Sequence, residues 1–142
     1  AGVQYAGSRE ELFEQSDIVS LHIPSTPETA GSINRECFDR MKMGAYLINT
    51  CRGSVVNEAD LVEALKSGRI GAAGLDVLCD EPPMDDNPLL DMENVFITSH
   101  MGAETAEGGL RSQTIMAETI EAFLEKGELS QYVRNKELLD NF

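Results

Sequence analysis

Basic residues are scarce in this chain. Eleven Lys and Arg stand against 25 Asp and Glu, a formal net charge of −14. Phosphate binding needs concentrated Lys and Arg, so this balance argues against a nucleic-acid partner and equally against an anionic membrane surface. No apolar run approaches the roughly 18 residues that a membrane span requires. The opening Ala1-Gly-Val-Gln-Tyr5 has neither the basic region nor the apolar core of a signal peptide. The three cysteines, Cys37, Cys51 and Cys79, are odd in number and lack C-x-x-C spacing. That pattern argues against a disulfide framework and fits reduced thiols in a cytoplasmic setting. Internal repeats and low-complexity tracts are also missing. So is an initiating Met: the chain opens on what reads as the tail of a connection into a helix, and is expected to be a piece of a longer protein.

Phosphate-cradling glycine turns are absent too. There is no P-loop and no G-x-G-x-x-G. The nearest run, Gly68-Arg-Ile-Gly-Ala-Ala-Gly74, has the wrong spacing and enters a strand instead of leaving one. The usual pyrophosphate cradle at a helix N-terminus is therefore missing from these 142 residues.

What is present is a 42% hydrophobic composition, enough for a globular fold with a real core. Ser8-Arg-Glu-Glu11 is a capping box opening a short helix through Gln15. Ile18–Ile23 is a β-branched strand stopped by Pro24, and Ser25–Thr29 is a loop. Asn34 caps a helix over Arg35–Met41, with Gly44 as its left-handed terminator. Ala45–Cys51 is the next strand, and the nearly continuous apolarity of its first half predicts burial on both faces. Asn57 caps Glu58–Lys66, where Leu61, Val62 and Leu65 follow helical spacing. Ile70–Val77 is a strand rich in Gly and Ala, so a close neighbouring backbone is expected. Cys79–Asp86 is an acidic, Pro-containing loop, and Asn94–Ser99 is the last strand. Alternating strands and helices imply right-handed βαβ units and a parallel sheet. Glu104 to Lys126 reads as one long helix with Leu110, Met116, Ile120, Phe123 and Leu124 as its apolar stripe. Gly108-Gly109 is its expected bend point. Residues 129–142 are too short to form a domain alone.

Arg52, Glu81 and His100 each lie just past a strand-like run. Strand ends of a parallel sheet point to one edge, where ligands bind. An arginine matches a carboxylate fork to fork, and a carboxylate orients and charges a histidine. Each also has a plainer reading: a surface arginine pairing with one of many acids, a solvated loop glutamate, a structural histidine near a helix start. His22, inside the first strand run, reads more simply as a packed residue. Asp76 lies inside a strand run, so its carboxylate needs a donor, such as a ligand amide. Cys51, Cys79, Glu81 and His100 are legitimate zinc ligands, but their spacing matches no compact zinc pattern, and no metal is expected.

Ser20-Leu-His-Ile-Pro24, Thr26-Pro-Glu-Thr29, Met41-Lys-Met-Gly-Ala-Tyr-Leu-Ile-Asn-Thr-Cys-Arg-Gly53, Gly74-Leu-Asp-Val77, Glu81-Pro82 and Ser99-His-Met-Gly102 occur in order. With these motifs in register, the chain resembles the D-isomer-specific 2-hydroxyacid dehydrogenases, over nearly its whole length but more weakly after Lys126. The resemblance implies an α/β, parallel-sheet, Rossmann-like fold. Residues 1–104 are expected to be the second half of an NAD-binding domain, and residues 105–142 a helical segment returning to a substrate domain. Residue by residue, it implies that Arg52 binds the substrate carboxylate, His100 is the acid–base, and Glu81 orients His100. Asp76 is implied to bind the nicotinamide carboxamide. Ile23 and Pro24 line the cofactor pocket, with help from the Thr50 and Cys51 backbone, and Met101, Gly102 and Ala103 lie beside the nicotinamide. Arg52 and His100 also border that cofactor.

The implied cofactor is NAD, with NADP left open, because the glycine turn and the ribose-gripping acid would both lie upstream. The implied partners are a small 2-oxo or 2-hydroxy acid and, at full length, a second subunit of a homodimer. The 142 residues alone are expected to be inactive. Two positions depart from the commonest pattern: Cys51 stands where alanine or serine is frequent, and Ser99 replaces a proline. Corepressor-like NAD(H)-binding relatives of the same fold are the alternative reading. An independent flavodoxin- or receiver-like domain would need a phosphate loop or an acidic pocket on the first strand, and neither is visible.

Overall fold

The computed structural model describes residues 2–127. The chain divides into two compact units, Ala1–Gly102 and Ala103–Phe142. The first unit runs α1 (Arg9–Gln15), β1 (Ile18–Leu21), α2 (Arg35–Arg40), β2 (Ala45–Asn49), α3 (Glu58–Lys66), β3 (Ile70–Leu75) and β4 (Val95–Ile97). Short 3-10 turns at Gly53–Val55 and Pro88–Asp91 interrupt the connections. All strand pairs are parallel, and their spatial order is the chain order, β1-β2-β3-β4. This is the predicted α/β parallel sheet.

Register decides which side chains enter the core. Val19, Leu47 and Ala73 lie side by side, as do Leu21, Asn49 and Leu75, and all six are buried. Phe13 of α1, Phe38 of α2, and Leu61 and Leu65 of α3 complete this core. On the opposite face, Ile18 pairs with Tyr46, and both are more than half exposed, as is Phe96. The predicted burial of β2 on both faces is therefore corrected. In a monotonic parallel order, crossovers of one hand all return over one face, so the first unit covers only that face itself.

Strand ends fall short of the apolar runs. β1 ends at Leu21, which puts His22 outside the strand. His22 is exposed and hydrogen-bonds Ser20 Oγ from its Nε2 at 2.8 Å, so its reading as a packed strand residue is also corrected. β2 stops at Asn49 because the Asn49 side chain captures the backbone two residues on and turns the chain. α2 ends at Arg40, with Met41 as its C-cap. Gly44 does adopt positive φ (75°), but in the turn leading into β2 rather than as the helix terminator. Ser8 and Asn57 cap α1 and α3, accepting from the Glu11 and Asp60 N–H groups.

In the second unit, α4 spans Ala106–Lys126, capped by Thr105 and closed by Gly127 at φ 67°. It starts two residues later than predicted. Gly108 lies in the first turn, its N–H donating to the Thr105 cap, and the helix continues without a break through the expected bend. The expectation for residues 129–142 lies outside the described residues. Among the described residues, no helix is long and apolar enough to cross a membrane.

Candidate functional site

The four strand ends share one edge of the sheet, and the chain leaving each is shaped by a few polar contacts. At the end of β2, Asn49 is fully buried. Its Oδ1 accepts from Cys51 N and Cys51 Sγ, both at 3.1 Å, while its Nδ2 donates to the Arg52 carbonyl at 3.0 Å. This ring of contacts presents Arg52 outward, where its Nη1 donates to the Cys51 carbonyl at 2.6 Å. Gly53 follows because nothing larger fits: a Cβ there would overlap the Leu78 carbonyl. The Arg52 turn and the loop after β3 therefore touch backbone to backbone.

The loop after β1 joins the same cluster. Ser25 and Ser54 share a 2.8 Å hydrogen bond, and Gly31 N donates to the Ser54 carbonyl at 2.8 Å. Half-buried Ile23 and exposed Pro24 thus lie on the Arg52 edge, near exposed Thr50 and half-buried Cys51.

Asp76 follows β3 and is buried. The donors its carboxylate requires come from the chain itself, not from a ligand alone. Oδ1 accepts from the Thr98 hydroxyl and from Met101 N at 2.9 Å, and Oδ2 accepts from Gly102 N at 2.8 Å. These bonds, led by Thr98 and Met101, hold the Asp76 carboxyl below the usual carboxylate range. A carboxylate offers about four acceptor positions, so one remains on Oδ2. The Asp76 carbonyl also accepts from His100 N at 2.8 Å, which fixes His100 at φ 55°, in the left-handed region. Met101 and Gly102 are thereby drawn against Asp76, whereas Ala103 belongs to the second unit.

His100 Nδ1 meets Glu81 Oε2 at 2.7 Å, and Glu81 Oε1 accepts from Leu78 N at 3.1 Å. The hydrogen bond from His100 lowers the Glu81 pKa most. The Leu78 N–H and the positive charges of His100 and Arg52 add to the effect. An ionised Glu81 only accepts, so the hydrogen of this contact is assigned to His100 Nδ1, which leaves Nε2 for a ligand. Arg52, Glu81 and His100 line one depression of about 320 Å³. A second, of about 450 Å³, adjoins Glu81 and His100 and is walled by Leu78, Pro82, Pro83 and Ile97. Among the described residues, no group of three or more His, Cys, Asp or Glu is placed to hold a metal ion.

Sequence reading overlooked Asn49. Its signal was a polar residue closing the apolar run of β2, a position that usually stays apolar unless its hydrogen bonds are made. Asn49→Ala removes the partners of Cys51 N and of the Arg52 carbonyl. It is expected to cost about 1–3 kcal/mol, the penalty for unpaired buried polar groups. Urea unfolding measures this, and an unchanged midpoint would show that these bonds contribute nothing.

One parallel α/β edge thus gathers an arginine, a glutamate–histidine pair and a buried aspartate. The comparisons give the family. Residues 1–102 match the model of the D-isomer specific 2-hydroxyacid dehydrogenase, NAD binding domain, and the chain belongs to that family. It is 45% identical over 134 residues to a D-3-phosphoglycerate dehydrogenase of Methanocaldococcus jannaschii, covering 94% of this chain and 25% of that protein. It is 44% identical over 138 residues to a glyoxylate reductase of Korarchaeum cryptofilum, covering 97% and 41% respectively. The crystal structure of a glyoxylate reductase from Paecilomyes thermophila superposes with a TM-score of 0.83 at 32% identity, over 91% of this chain and 39% of that one. The chain thus spans a quarter to two fifths of the length of these relatives.

Proposed function

We propose that this chain carries the nicotinamide-side half of an NAD-dependent D-2-hydroxyacid dehydrogenase. The reaction is hydride transfer between the cofactor and the second carbon of a 2-oxo or 2-hydroxy acid. The observation that carries this reading is the 2.7 Å Glu81–His100 pair in a depression also lined by Arg52. Residues 1–104 form the cofactor half, and residues 105–142 lead to a substrate domain. The full-length protein is read as a cytoplasmic homodimer.

The residues present fit a nicotinamide. Asp76 keeps one acceptor position on Oδ2 for a carboxamide N–H, and the exposed Met101-Gly102 backbone is held beside it. Ile23, Pro24, Thr50 and Cys51 complete the proposed lining within the first unit. When bound, the cofactor supplies or accepts the hydride. Arg52 binds the substrate carboxylate through its guanidinium fork and stabilises charge on the neighbouring carbonyl oxygen. His100 Nε2 gives that oxygen a proton during reduction and removes it during oxidation. Glu81 holds the His100 ring in the required tautomer.

Saturation-transfer NMR on the 142-residue chain with millimolar NADH tests the assignment. Binding is expected to be weak, because the chain carries no G-x-G-x-x-G. The nicotinamide protons are expected to receive more saturation than the adenine protons, and Asp76→Ala is expected to abolish the difference. Stronger transfer to adenine would overturn the reading.

A further inference from the structure

We infer that Glu58, the first residue of α3, is a positioning residue for the Glu81–His100 pair, an inference that rests on the function proposed above. Glu58 lies outside the depression, yet its carboxylate closes the loop that carries Glu81. Its Oε2 accepts from Cys79 N at 3.0 Å, at the start of that loop. Its Oε1 accepts from Asn87 Nδ2 at 2.6 Å, at the loop's end. Asn87 is itself anchored, because its Oδ1 caps Leu89 N at 2.9 Å and Leu89 is buried in the core. The path from α3 to the histidine is then short: Glu58 fixes Cys79, Cys79 follows Leu78, Leu78 N holds Glu81 Oε1, and Glu81 Oε2 holds His100 Nδ1.

Charge makes this placement informative. The loop already carries Asp80, Glu81, Asp85 and Asp86. A further carboxylate beside it is repelled; burial first, and after it the Glu58 carboxylate, push the Cys79 thiol up to about 11. Such a group is retained against repulsion by the bonds it makes, and here both go to the two ends of one loop. The other tie at Cys79, Sγ to the Val56 carbonyl at 3.7 Å, is a weak one. Without Glu58, Cys79 N and Asn87 Nδ2 both lose their acceptor, and Glu81 is held mainly by its own contacts with Leu78 and His100.

The test reads the His100 tautomer by imidazole ¹⁵N NMR at about pH 9, where histidine is neutral. The chain has only two histidines, so His22 serves as an internal reference. The wild-type chain is expected to show Nδ1–H at His100. Glu58→Ala is expected to lower the ratio of Nδ1–H to Nε2–H about fivefold, the ordinary effect of losing one hydrogen bond. Glu58→Gln keeps the shape but can accept only one of the two bonds, so it should shift the ratio less, in the same direction. If Glu58→Ala does not fold, the glutamine variant decides. General destabilisation leaves the tautomer of the folded molecules unchanged, so a shift reports positioning. An unchanged tautomer in the folded variants would overturn the role of Glu58 alone. A wild-type chain without Nδ1–H at His100 would overturn the Glu81–His100 pairing beneath it.

Discussion

Replacing His100 with alanine, in a protein of the relatives' full length, is expected to lower 2-oxo-acid reduction by ~10²–10⁴-fold, the usual contribution of a positioned acid–base group. On the proposed roles the loss should fall on kcat, because the proton moves in the transition state while Arg52 would still hold the substrate carboxylate. Arg52→Ala should cost at least ~10²-fold as well, but with a large rise in KM for the 2-oxo acid, since on the proposed role it would remove ground-state binding together with charge stabilisation. Steady-state NADH oxidation measures both. Near-native turnover in either variant would show that the acid–base or the carboxylate clamp lies elsewhere. The split between kcat and KM separates the two roles, which matters because His100 and Arg52 line the same depression.

Gly53→Ala is expected to be the most damaging single-methyl change in the first unit. The added Cβ overlaps the Leu78 carbonyl, and both partners are backbone, so no side chain can swing away. Overpacking of this kind costs about 1–3 kcal/mol. Its functional effect should exceed its stability effect, because the contact it forces open lies between Arg52 and the loop that carries Glu81. Gly109→Ala is the matched control. It lies inside α4 with open space around its Cβ position. There an alanine should stabilise by about 0.5–1 kcal/mol through helix propensity alone. Thermal unfolding of the two variants checks the contrast, and equal effects would remove the backbone contact at Gly53 as a determinant of the site.

Much of the fold was legible because its local signals agree. Ser8, Asn34 and Asn57 are strong caps, and all three accept from helix N–H groups as their positions predict. Strand runs alternate with helices, which leaves few topologies other than a parallel sheet. The strand ends were less legible. The strand-like runs extend through His22-Ile23 and Thr50-Cys51, but pairing stops at Leu21 and Asn49, and at Asn49 the side chain bonds Cys51 N and turns the backbone. Whether both faces of β2 are buried was not legible either. Apolar Tyr46 and Ile48 satisfy either outcome, and only the strand order decides which face the connections cover.

The sequence by itself determined the chemistry on offer. An arginine, an acid and a histidine follow successive strands, and no G-x-G-x-x-G lies within the 142 residues. It carried this much because residue type and strand periodicity are local properties. Residue chemistry alone left open which acid meets the histidine; the resemblance implied Glu81, and the tertiary structure makes that contact. Asp76, Asp80 and Glu81 are chemically close candidates. Asp76 accepts from Thr98, Met101 and Gly102, while Glu81 reaches His100 Nδ1. The contacts that settle this join the chain after β3 to the segment after β4, and a hydrogen bond depends on ångström-scale placement that sequence spacing does not encode.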